Sequence, residues 1–427
     1  MALADKDLLD YVAANSGARR DDIHRHVSPE VNAVTVWRRI KALVEGHKLQ
    51  VSGRGPSTRY SLAGASVVRA HLATPYNQRK LTLYNKAFLD AYVPNKSSYL
   101  SASERGELNR IGTPSLPQMP AGTYARRILE KLLVDLSWAS SRMEGNTYSL
   151  LDTERLIRFG EEAAGKDRKE AIMILNHKEA IQHLVQNLPA IGITRRDLFD
   201  IHALLSDGLL VNPAMAGRLR EMGVEITHSS YRPLDDKFEI EEEFRILIEK
   251  AATIADPVEQ SFFLLVHIPY LQAFDDVNKR TSRIAANVPL LKAELAPMSF
   301  VAMNDRDYID GLLGVYELNN IALFKEAYIA AYRASAENYR VVRAEVENPD
   351  KAALAYRGFV KEAVRRAVLE WKAFDPARVI EMARAAGIPE DDIPGVVTYT
   401  RREFAGLHEG NCIRYRLRAE DLQGLVR

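Results

Sequence analysis

Residues 267–283 read HIPYLQAFDDVNKRTSR and separate two apolar segments of the chain. The apolar run 262–266 precedes them, and Ile284, Val288 and Leu290 follow them at helical spacing. The pattern therefore predicts a loop between two buried helices. Because buried polar side chains need partners, a loop this rich in Asp, Asn, Lys and Arg predicts a bound ligand.

The chemistry of this loop favours an anion. Asn278, Lys279 and Arg280 lie where the second helix begins, and free N–H groups and the helix dipole favour negative charge there. Arg280 and Arg283 are three residues apart and share a helix face, which suits a polyphosphate. Asp276 stands just before them, where it could hold a magnesium ion that bridges phosphates. The spacing leaves one alternative open, a helix cap at Asp276 followed by a solvated basic turn.

The run FDDVNKRTSR at residues 274–283 resembles the active-site loop of the Fic family, whose usual form is His-Pro-Phe-x-Asp-Gly-Asn-Gly-Arg-x-x-Arg. Members of that family mostly transfer AMP from ATP to a protein hydroxyl. The related Doc proteins, whose loop reads Ala-Asn-Lys-Arg-Thr, transfer a phosphate. The resemblance implies ATP and Mg2+ as cofactors, with Asp276 as the metal ligand. It assigns Asn278 to the α-phosphate, and Arg280 with Arg283 to the β- and γ-phosphates.

Three positions depart from the family pattern. Val277 and Lys279 replace glycines, the second in the manner of Doc, and Lys279 stays among the expected nucleotide contacts. Gln272 stands where the family has its catalytic His. That His takes the proton from the attacking hydroxyl, and losing a general base lowers a rate by roughly 10²- to 10⁴-fold. His267, about 140° round a continued helix from Gln272, is more typical of a hydrogen-bonded core residue than of a substitute base. The expected catalytic positions are Gln272, Asn278 and Arg280.

Length and composition limit the number of domains, the class of protein and the expected compartment. At 427 residues and 47% hydrophobic composition, the chain is long enough for two or three domains. A net charge of +1 excludes a strongly polycationic protein, so any nucleic-acid contact needs a local patch. The single cysteine, Cys412, excludes an intramolecular disulfide framework and indicates a reducing compartment. With no signal-peptide pattern and no long apolar run, the sequence predicts a cytoplasmic protein without membrane contact.

Residues 8–62 contain such a local patch. Apolar spacing predicts three helices, the third ending at Gly46, and then two strand-like arms at 49–51 and 59–62. The pattern resembles a winged helix-turn-helix, and its last half carries six Lys or Arg and one acid, which favours DNA. In such a domain the third helix enters the major groove. The candidate DNA contacts are Asn32, Thr35, Arg38, Arg39 and, at the wing tip, Arg54. Use of the domain for protein contacts or dimerisation is the alternative.

A second motif lies about 130 residues before the loop. A long helix begins near Thr123 and ends in SSRMEG at residues 140–145. Ser140-x-x-x-Glu144-Gly145 resembles the inhibitory motif of the Fic family, Ser/Thr-x-x-x-Glu-Gly/Asn. The resemblance implies that Glu144 pairs with Arg283 and blocks productive seating of the γ-phosphate. Taken alone, the pattern is also typical of ordinary helix capping.

Two further segments resemble family features. Residues 224–233 alternate with period two and then turn, which predicts a hairpin. They resemble the family's flap, which holds the modified protein segment by strand addition, although a plain surface hairpin fits equally. The expected flap residues are Val224, Ile226, Ser230 and Tyr231. Tyr308 and Tyr316 lie where the family lines its adenine pocket, and core packing explains them equally well. His202 matches a family position but is more typical of a structural residue.

These patterns predict a mainly α protein: a Fic-like helical domain with a β-hairpin flap, preceded by a winged helix-turn-helix and followed by a small α+β region. The expected segments are a winged helix at 1–63, a connector at 64–122 that wraps the next domain, a Fic-like domain with the inhibitory helix at 123–345 and an α+β region at 346–427. Strands are expected near 396–399 and 412–417.

The favoured function is an ATP-type nucleotide-binding regulator with weak or no transfer activity. Its nucleotide state would bias DNA binding or self-association, for example as a homodimer. The alternatives are an active protein AMP transferase or Doc-like phosphotransferase acting on a Ser, Thr or Tyr hydroxyl, and a DNA-binding scaffold without nucleotide.

Overall fold

The structure, a computed structural model, describes residues 4–27, 29–46, 48–114, 123–345, 355–423 and 425. Across those residues the protein is mainly helical, as predicted, with two small two-stranded sheets. By compactness the chain divides into two units, Met1–Val342 and Arg343–Arg427. The division into four segments stays a prediction, and its boundaries at 122/123 and 345/346 adjoin residues outside those described. Among the described residues, no helix has the length and apolar character that a membrane span requires.

The N-terminal elements follow the predicted order of three helices and two strands. They are α1 Asp5–Ala14, α2 Arg20–Val27, α3 Ala33–Glu45, β1 Leu49–Ser52 and β2 Arg59–Leu62, and the two strands are antiparallel. The side chain of Asn32 caps α3 by accepting a hydrogen bond from the Val34 N–H, which fixes where that helix begins. The helices enclose a hydrophobic core of their own, which includes Leu8, Ile23 and Ile40.

Besides a 3-10 turn at Tyr76–Gln78, residues 64–114 carry four short elements. These are α4 Ala65–Leu72, β3 Thr82–Leu83, α5 Lys86–Asp90 and α6 Ala102–Gly112. Ser101 and Glu104 form a capping box at the start of α6, in which each side chain accepts a hydrogen bond from the backbone N–H of the other residue. Leu89, Leu100 and Leu108 are buried in the same hydrophobic core as the helices that follow. This segment is therefore packed structure rather than a flexible linker.

Ten helices of the described chain follow between residues 123 and 345. They are α7 Thr123–Arg142, α8 Leu150–Phe159, α9 Arg168–Gln186, α10 Arg195–Ser206, α11 Lys237–Thr253, α12 Pro257–Leu271, α13 Asn278–Ala285, α14 Asn287–Lys292, α15 Asp305–Leu318 and α16 Ala322–Glu345. Helix α12 is the central one, because nearly every side chain on it is buried on all faces. The side chain of Asp256 starts α12 by accepting hydrogen bonds from the Val258 and Glu259 N–H groups.

A buried carboxylate near the end of α15 joins three chain segments. Glu317 accepts hydrogen bonds from Arg79 at 3.0 and 3.1 Å, and its Oε2 lies 2.7 Å from His71 Nε2. It also accepts from the Ser229 hydroxyl at 2.7 Å and from the Ser230 N–H at 3.1 Å. Burial alone raises the pKa of Glu317, but these donors outweigh burial and hold the pKa below its usual range. The carboxylate is therefore ionised, and it fixes residues 71–79 and 229–230 against α15.

The predicted hairpin at residues 224–233 does not form. Only Tyr231–Arg232 are extended as a strand, β4, which pairs in parallel with β3. His228 has a left-handed backbone, with φ of 60°, and this turns the chain just before the strand. Glu317 then binds Ser229 and Ser230, so the alternating residues are held by α15 instead of by a second flap strand.

The prediction of an α+β region is wrong for residues 355–423. All the named secondary-structure elements of these residues are helices or helical turns. The helices are α17 Arg357–Arg366, which continues into a π-helical turn at Ala367–Trp371, α18 Pro376–Ala385 and α19 Ile393–Ala405. The predicted strand at 396–399 lies inside α19, and Cys412–Tyr415 form a 3-10 turn. Ile393, Val396, Thr400 and Phe404 are buried at helical spacing. Packing of that face therefore overrides the strand preference of Val and Thr.

Candidate active site

The loop between α12 and α13 is bounded by two residues with left-handed backbones. Gln272 caps α12 with φ of 50°, and Val277 precedes α13 with φ of 65°. Val277 stands where the family pattern has glycine, and this conformation costs a side-chain-bearing residue roughly 1–2 kcal/mol. The Val277 side chain is buried, so packing holds the strained backbone in place.

The side chain of Asn278 holds the loop in shape through hydrogen bonds across it. Its oxygen accepts from the Phe274 N–H at 3.0 Å, and its amide donates to the Phe274 carbonyl at 2.8 Å and to Gln272 Oε1 at 3.0 Å. Gln272 in turn donates from Nε2 to the Pro269 carbonyl at 2.8 Å. Both amides are therefore used in holding the loop. A phosphate contact from Asn278 would have to come from its backbone N–H rather than from its side chain.

The N-terminus of α13 leaves donors for an anion. The Thr281 N–H makes the first intrahelical bond, to the Val277 carbonyl, so the N–H groups of Asn278, Lys279 and Arg280 precede the helical ladder. The Arg280 side chain is only 6% exposed and donates from Nη2 to Asp276 at 3.2 Å. Its Nη1 is buried and has no hydrogen-bond partner among the described residues. A buried guanidinium N–H without a partner at a helix N-terminus fits a bound anion.

Arg283 meets the Ser140–Gly145 motif at the end of α7. The guanidinium is fully buried and donates from Nη2 to Glu144 Oε1 at 2.6 Å, and from Nε to the Ser140 hydroxyl at 2.8 Å. Lys279 Nζ lies 3.0 Å from the other carboxylate oxygen, Glu144 Oε2. Burial alone raises the pKa of Glu144, but Arg283, Lys279 and Arg280 outweigh burial and hold it at about 2. Glu144 is therefore ionised at neutral pH.

Residues 192–290 match the model of the Fic/DOC family, and this range includes α10, the loop and α13. The chain contains a Fic/DOC family domain.

Two similar proteins carry the name of an enzyme activity, protein adenylyltransferase. The chain is 25% identical over 285 residues to protein adenylyltransferase Fic of Nematostella vectensis, a match that covers 64% of each chain. It is 23% identical over 232 residues to protein adenylyltransferase fic-1 of Caenorhabditis elegans, covering 51% of this chain and 45% of the relative. The chain thus spans less than two thirds of the length of either relative.

Solved structures of similar proteins share low identity with the chain. A Fic family protein from Desulfovibrio desulfuricans G20 is 20% identical, with a TM-score of 0.48, over 62% of this chain and 82% of that one. Fic-1 from Caenorhabditis elegans is 18% identical, with a TM-score of 0.46, over 79% of this chain and 98% of that one.

The sequence analysis did not identify His177, a buried histidine that contacts Ser140. His177 Nδ1 lies 2.7 Å from the Met173 carbonyl, which can only accept, so Nδ1 carries the proton. His177 Nε2 therefore accepts from the Ser140 hydroxyl at 2.7 Å, and the Ser140 oxygen stays available to the Arg283 Nε. Burial lowers the pKa of His177 to about 3, which keeps the ring neutral. His177 is 37 residues from Ser140 in the chain, and no local pattern links them.

The two tyrosines predicted for the adenine pocket, Tyr308 and Tyr316, lie in the large hydrophobic core that also contains α12. The Tyr308 hydroxyl accepts from Arg283 Nη1 at 2.9 Å, so Tyr308 supports the arginine. Tyr316 stacks on Tyr231 with ring centroids 5.5 Å apart, and the Tyr231 hydroxyl donates to the Tyr270 carbonyl at 2.7 Å. The side chain of Tyr231, an expected flap residue, is thus buried in the core, and a role for this residue in binding a peptide stays a prediction. Of the other expected flap residues, Val224, Ile226 and Ser230 are half-buried.

Both histidines near the loop are buried and hydrogen-bonded. His267 lies 2.6 Å from the Tyr99 hydroxyl, and burial lowers its pKa to about 3. His202 stacks on Phe274 with ring centroids 4.0 Å apart and accepts from the Gly217 N–H, so its Nε2 donates to the Asp276 carbonyl. Burial lowers the pKa of His202 to about 4. Both rings are held in structural contacts, as the sequence indicated.

Arg220 is a second residue that the sequence did not single out. Its guanidinium is buried and donates to the Gln272 carbonyl at 2.5 Å, to the Met222 carbonyl at 2.7 Å and to the Leu234 carbonyl. Its backbone N–H donates to the Ala273 carbonyl at 3.0 Å. Arg220 therefore ties both ends of residues 222–234 to the start of the active-site loop. The contact joins residues far apart in the chain, and only the fold brings them together.

Asp276 has the surroundings of a magnesium ligand that shares the ion with a substrate. Its side chain is 64% exposed, and its oxygens accept from the Val277 N–H at 2.6 Å and from Arg280. Across the described part of the chain, no group of three or more His, Cys, Asp or Glu could hold a metal ion. A single carboxylate suits Mg2+, which commonly binds one or two carboxylates and completes its shell with phosphates and water.

Proposed function

We propose that the Fic domain binds an ATP-type nucleotide at the N-terminus of α13. The observation that carries this proposal is the buried Nη1 of Arg280, which has no hydrogen-bond partner among the described residues and belongs to a residue of the first turn of α13. Arg280 and Arg283 supply two guanidinium forks for the β- and γ-phosphates. Asp276 would hold the Mg2+ ion, which would neutralise charge on the phosphates.

Transfer from this nucleotide is proposed to be weak or absent. Gln272 has no titratable nitrogen, and both ends of its amide are engaged by Pro269 and Asn278. His202 and His267 are neutral and held in structural contacts. The names of the two relatives favour AMP transfer to a protein hydroxyl as the reaction of an active form, and γ-phosphate transfer is the alternative. The carboxylate of Glu144 is proposed to keep the site closed by occupying Arg283.

Arg280→Met should weaken ATP binding by about tenfold, because a charged hydrogen bond to phosphate is lost, at roughly 1.5 kcal/mol or more. Calorimetric titration of ATP into the full-length protein measures the change. Arg306→Met, which removes an exposed guanidinium from α15, is the matched control and should leave affinity unchanged. Equal affinities for the parent and Arg280→Met proteins would remove the basis for the nucleotide site.

A second proposed function, DNA binding by the N-terminal winged helix, is favoured by the exposed arginines of α3 and the hairpin. Arg38 and Arg54 are exposed, and neither forms an ion pair with a carboxylate within the described part of the chain. Thr35 is exposed on α3 as well. Arg39 differs, because its guanidinium is paired with Asp5 of α1, so its charge is partly neutralised. The nucleotide state of the Fic domain would then bias this DNA contact or self-association.

Affinity for duplex DNA should fall as salt rises, with a log–log slope of about −0.9 per phosphate contacted. The double variant Arg38→Ala and Arg54→Ala should make that slope shallower by roughly 1.8, because two phosphate contacts are lost. A gel-shift series from low to moderate salt measures both slopes. Arg245→Ala, which removes a charge already held between Glu242 and Glu249, should leave the slope unchanged. An affinity for DNA that does not change with salt concentration would count against contacts to the DNA phosphates.

A further inference from the structure

Lys279 holds the second oxygen of the carboxylate that closes the site. Its Nζ lies 3.0 Å from Glu144 Oε2, while Arg283 Nη2 lies 2.6 Å from Oε1. Lys279 and Arg283 are four residues apart on α13 and therefore share one face of the helix. A glycine at position 279 would leave Glu144 with Arg283 alone on that face. The lysine thus adds a second cation to the closed site.

We propose that Lys279 exchanges partners: it holds Glu144 while the site is closed, and it binds a phosphate of the nucleotide once Glu144 leaves. This inference rests on the proposed nucleotide site. Lys279 is 38% exposed at the second position of α13, beside the N–H groups proposed to bind phosphate. A lysine ammonium is a point charge on a flexible stem, so it can move from a carboxylate to a phosphate oxygen without a fixed geometry.

The charges around the site favour this exchange. In the closed site, Lys279, Arg280 and Arg283 face two carboxylates, those of Glu144 and Asp276. When Glu144 leaves, the same three cations face Asp276 alone. That excess of positive charge in a largely buried site is best matched by a ligand that carries several negative charges. The exchange therefore favours a triphosphate over a diphosphate.

The exchange gives Lys279 two opposing effects on ATP affinity. Removing Lys279 loosens Glu144, which helps ATP to enter, and it also removes a phosphate contact, which hinders binding. In a protein that lacks the Glu144 carboxylate, only the second effect remains. A double-mutant cycle between the two positions therefore separates an exchanging lysine from one that contacts only the nucleotide.

The experiment compares four full-length proteins: the parent, Lys279→Met, Glu144→Gly and the double variant. Each is titrated with ATP in the presence of Mg2+ by calorimetry. Lys279→Met should weaken ATP binding about tenfold when Glu144 is absent and by no more than about twofold when it is present, a coupling of about fivefold. Lys169→Met, which removes an exposed lysine from the first turn of α9, is the matched control and should have equal effects in both backgrounds.

Each outcome decides a different point. Equal factors for Lys279→Met in both backgrounds would overturn the exchange and leave the nucleotide site standing. Failure of all four proteins to bind ATP would overturn the nucleotide site, and the exchange with it. A parallel cycle on urea unfolding of the nucleotide-free proteins tests the closed contact. Additive effects on unfolding would show that Lys279 does not hold Glu144, which also overturns the exchange.

Discussion

Gln272→His is expected to raise self-labelling with ATP by about 10²-fold or more, because it restores a group that can accept the proton of the attacking hydroxyl. The backbone at this position has φ of 50°, and His is among the residues that tolerate this left-handed region best. The backbone conformation at position 272 therefore accommodates an imidazole side chain, although the hydrogen bonds of the Gln272 amide to Pro269 and Asn278 are lost. No other histidine described near the loop is free to act as this base.

The labelling is measured with α-32P and γ-32P ATP in separate incubations of the purified protein in cell lysate. Label from the α-phosphate reports AMP transfer, and label from the γ-phosphate alone reports phosphate transfer. Gln260→His, a substitution of the same kind on α12, is the matched control and should not raise labelling. Robust labelling by the parent protein that Gln272→Ala leaves unaffected would mean that the protein transfers without a base at this position. That result would favour the active transferase.

Glu144→Gly is expected to tighten ATP binding by about five- to 150-fold and to change ADP binding less. The carboxylate would compete with the γ-phosphate for the Arg283 guanidinium and would place a negative charge beside that phosphate, a competition of about 1–3 kcal/mol. Only ATP carries the contested phosphate. The pKa of about 2 means that Glu144 loses its charge only in strong acid, so the competition should be constant across neutral pH.

Titration of both nucleotides into both proteins provides the four affinities that this expectation needs. Glu162→Gly, which removes a carboxylate from the exposed loop between α8 and α9, is the matched control. It should leave both affinities unchanged. Equal changes for ATP and ADP on Glu144→Gly would indicate a general effect of charge or stability. Glu144 would then be an ordinary residue of the turn that follows α7, and the inhibitory interpretation should be dropped.

Predictions from the sequence were most accurate where residues close together in the chain determine the secondary structure. The apolar runs around residues 267–283 predicted a loop between two helices, and the structure has α12 and α13 there, with the loop itself confined to residues 272–277. The same reasoning identified the end of α7 and the elements of residues 5–62. It failed in α19, where Val396 and its neighbours have strand preferences but pack as one helical face. It also failed at residues 224–230, because an alternating pattern does not reveal that Glu317 will bind the chain there.

By itself the sequence determined that the chain is mainly helical and that a polar loop interrupts its central apolar segment, and the resemblance predicted that Gln272 stands at the position of the catalytic His. These depend on side-chain chemistry and on residues within a few turns of one another. The resemblance also predicted that Glu144 pairs with Arg283, and the two side chains are paired in the structure. Only the tertiary structure decided that Lys279 joins this pair, that His177 orients Ser140, and that Tyr231 is buried. Such contacts join residues far apart in the chain. Which polar groups pair is set by which of them become buried together, and burial without a partner is what makes the pairing obligatory.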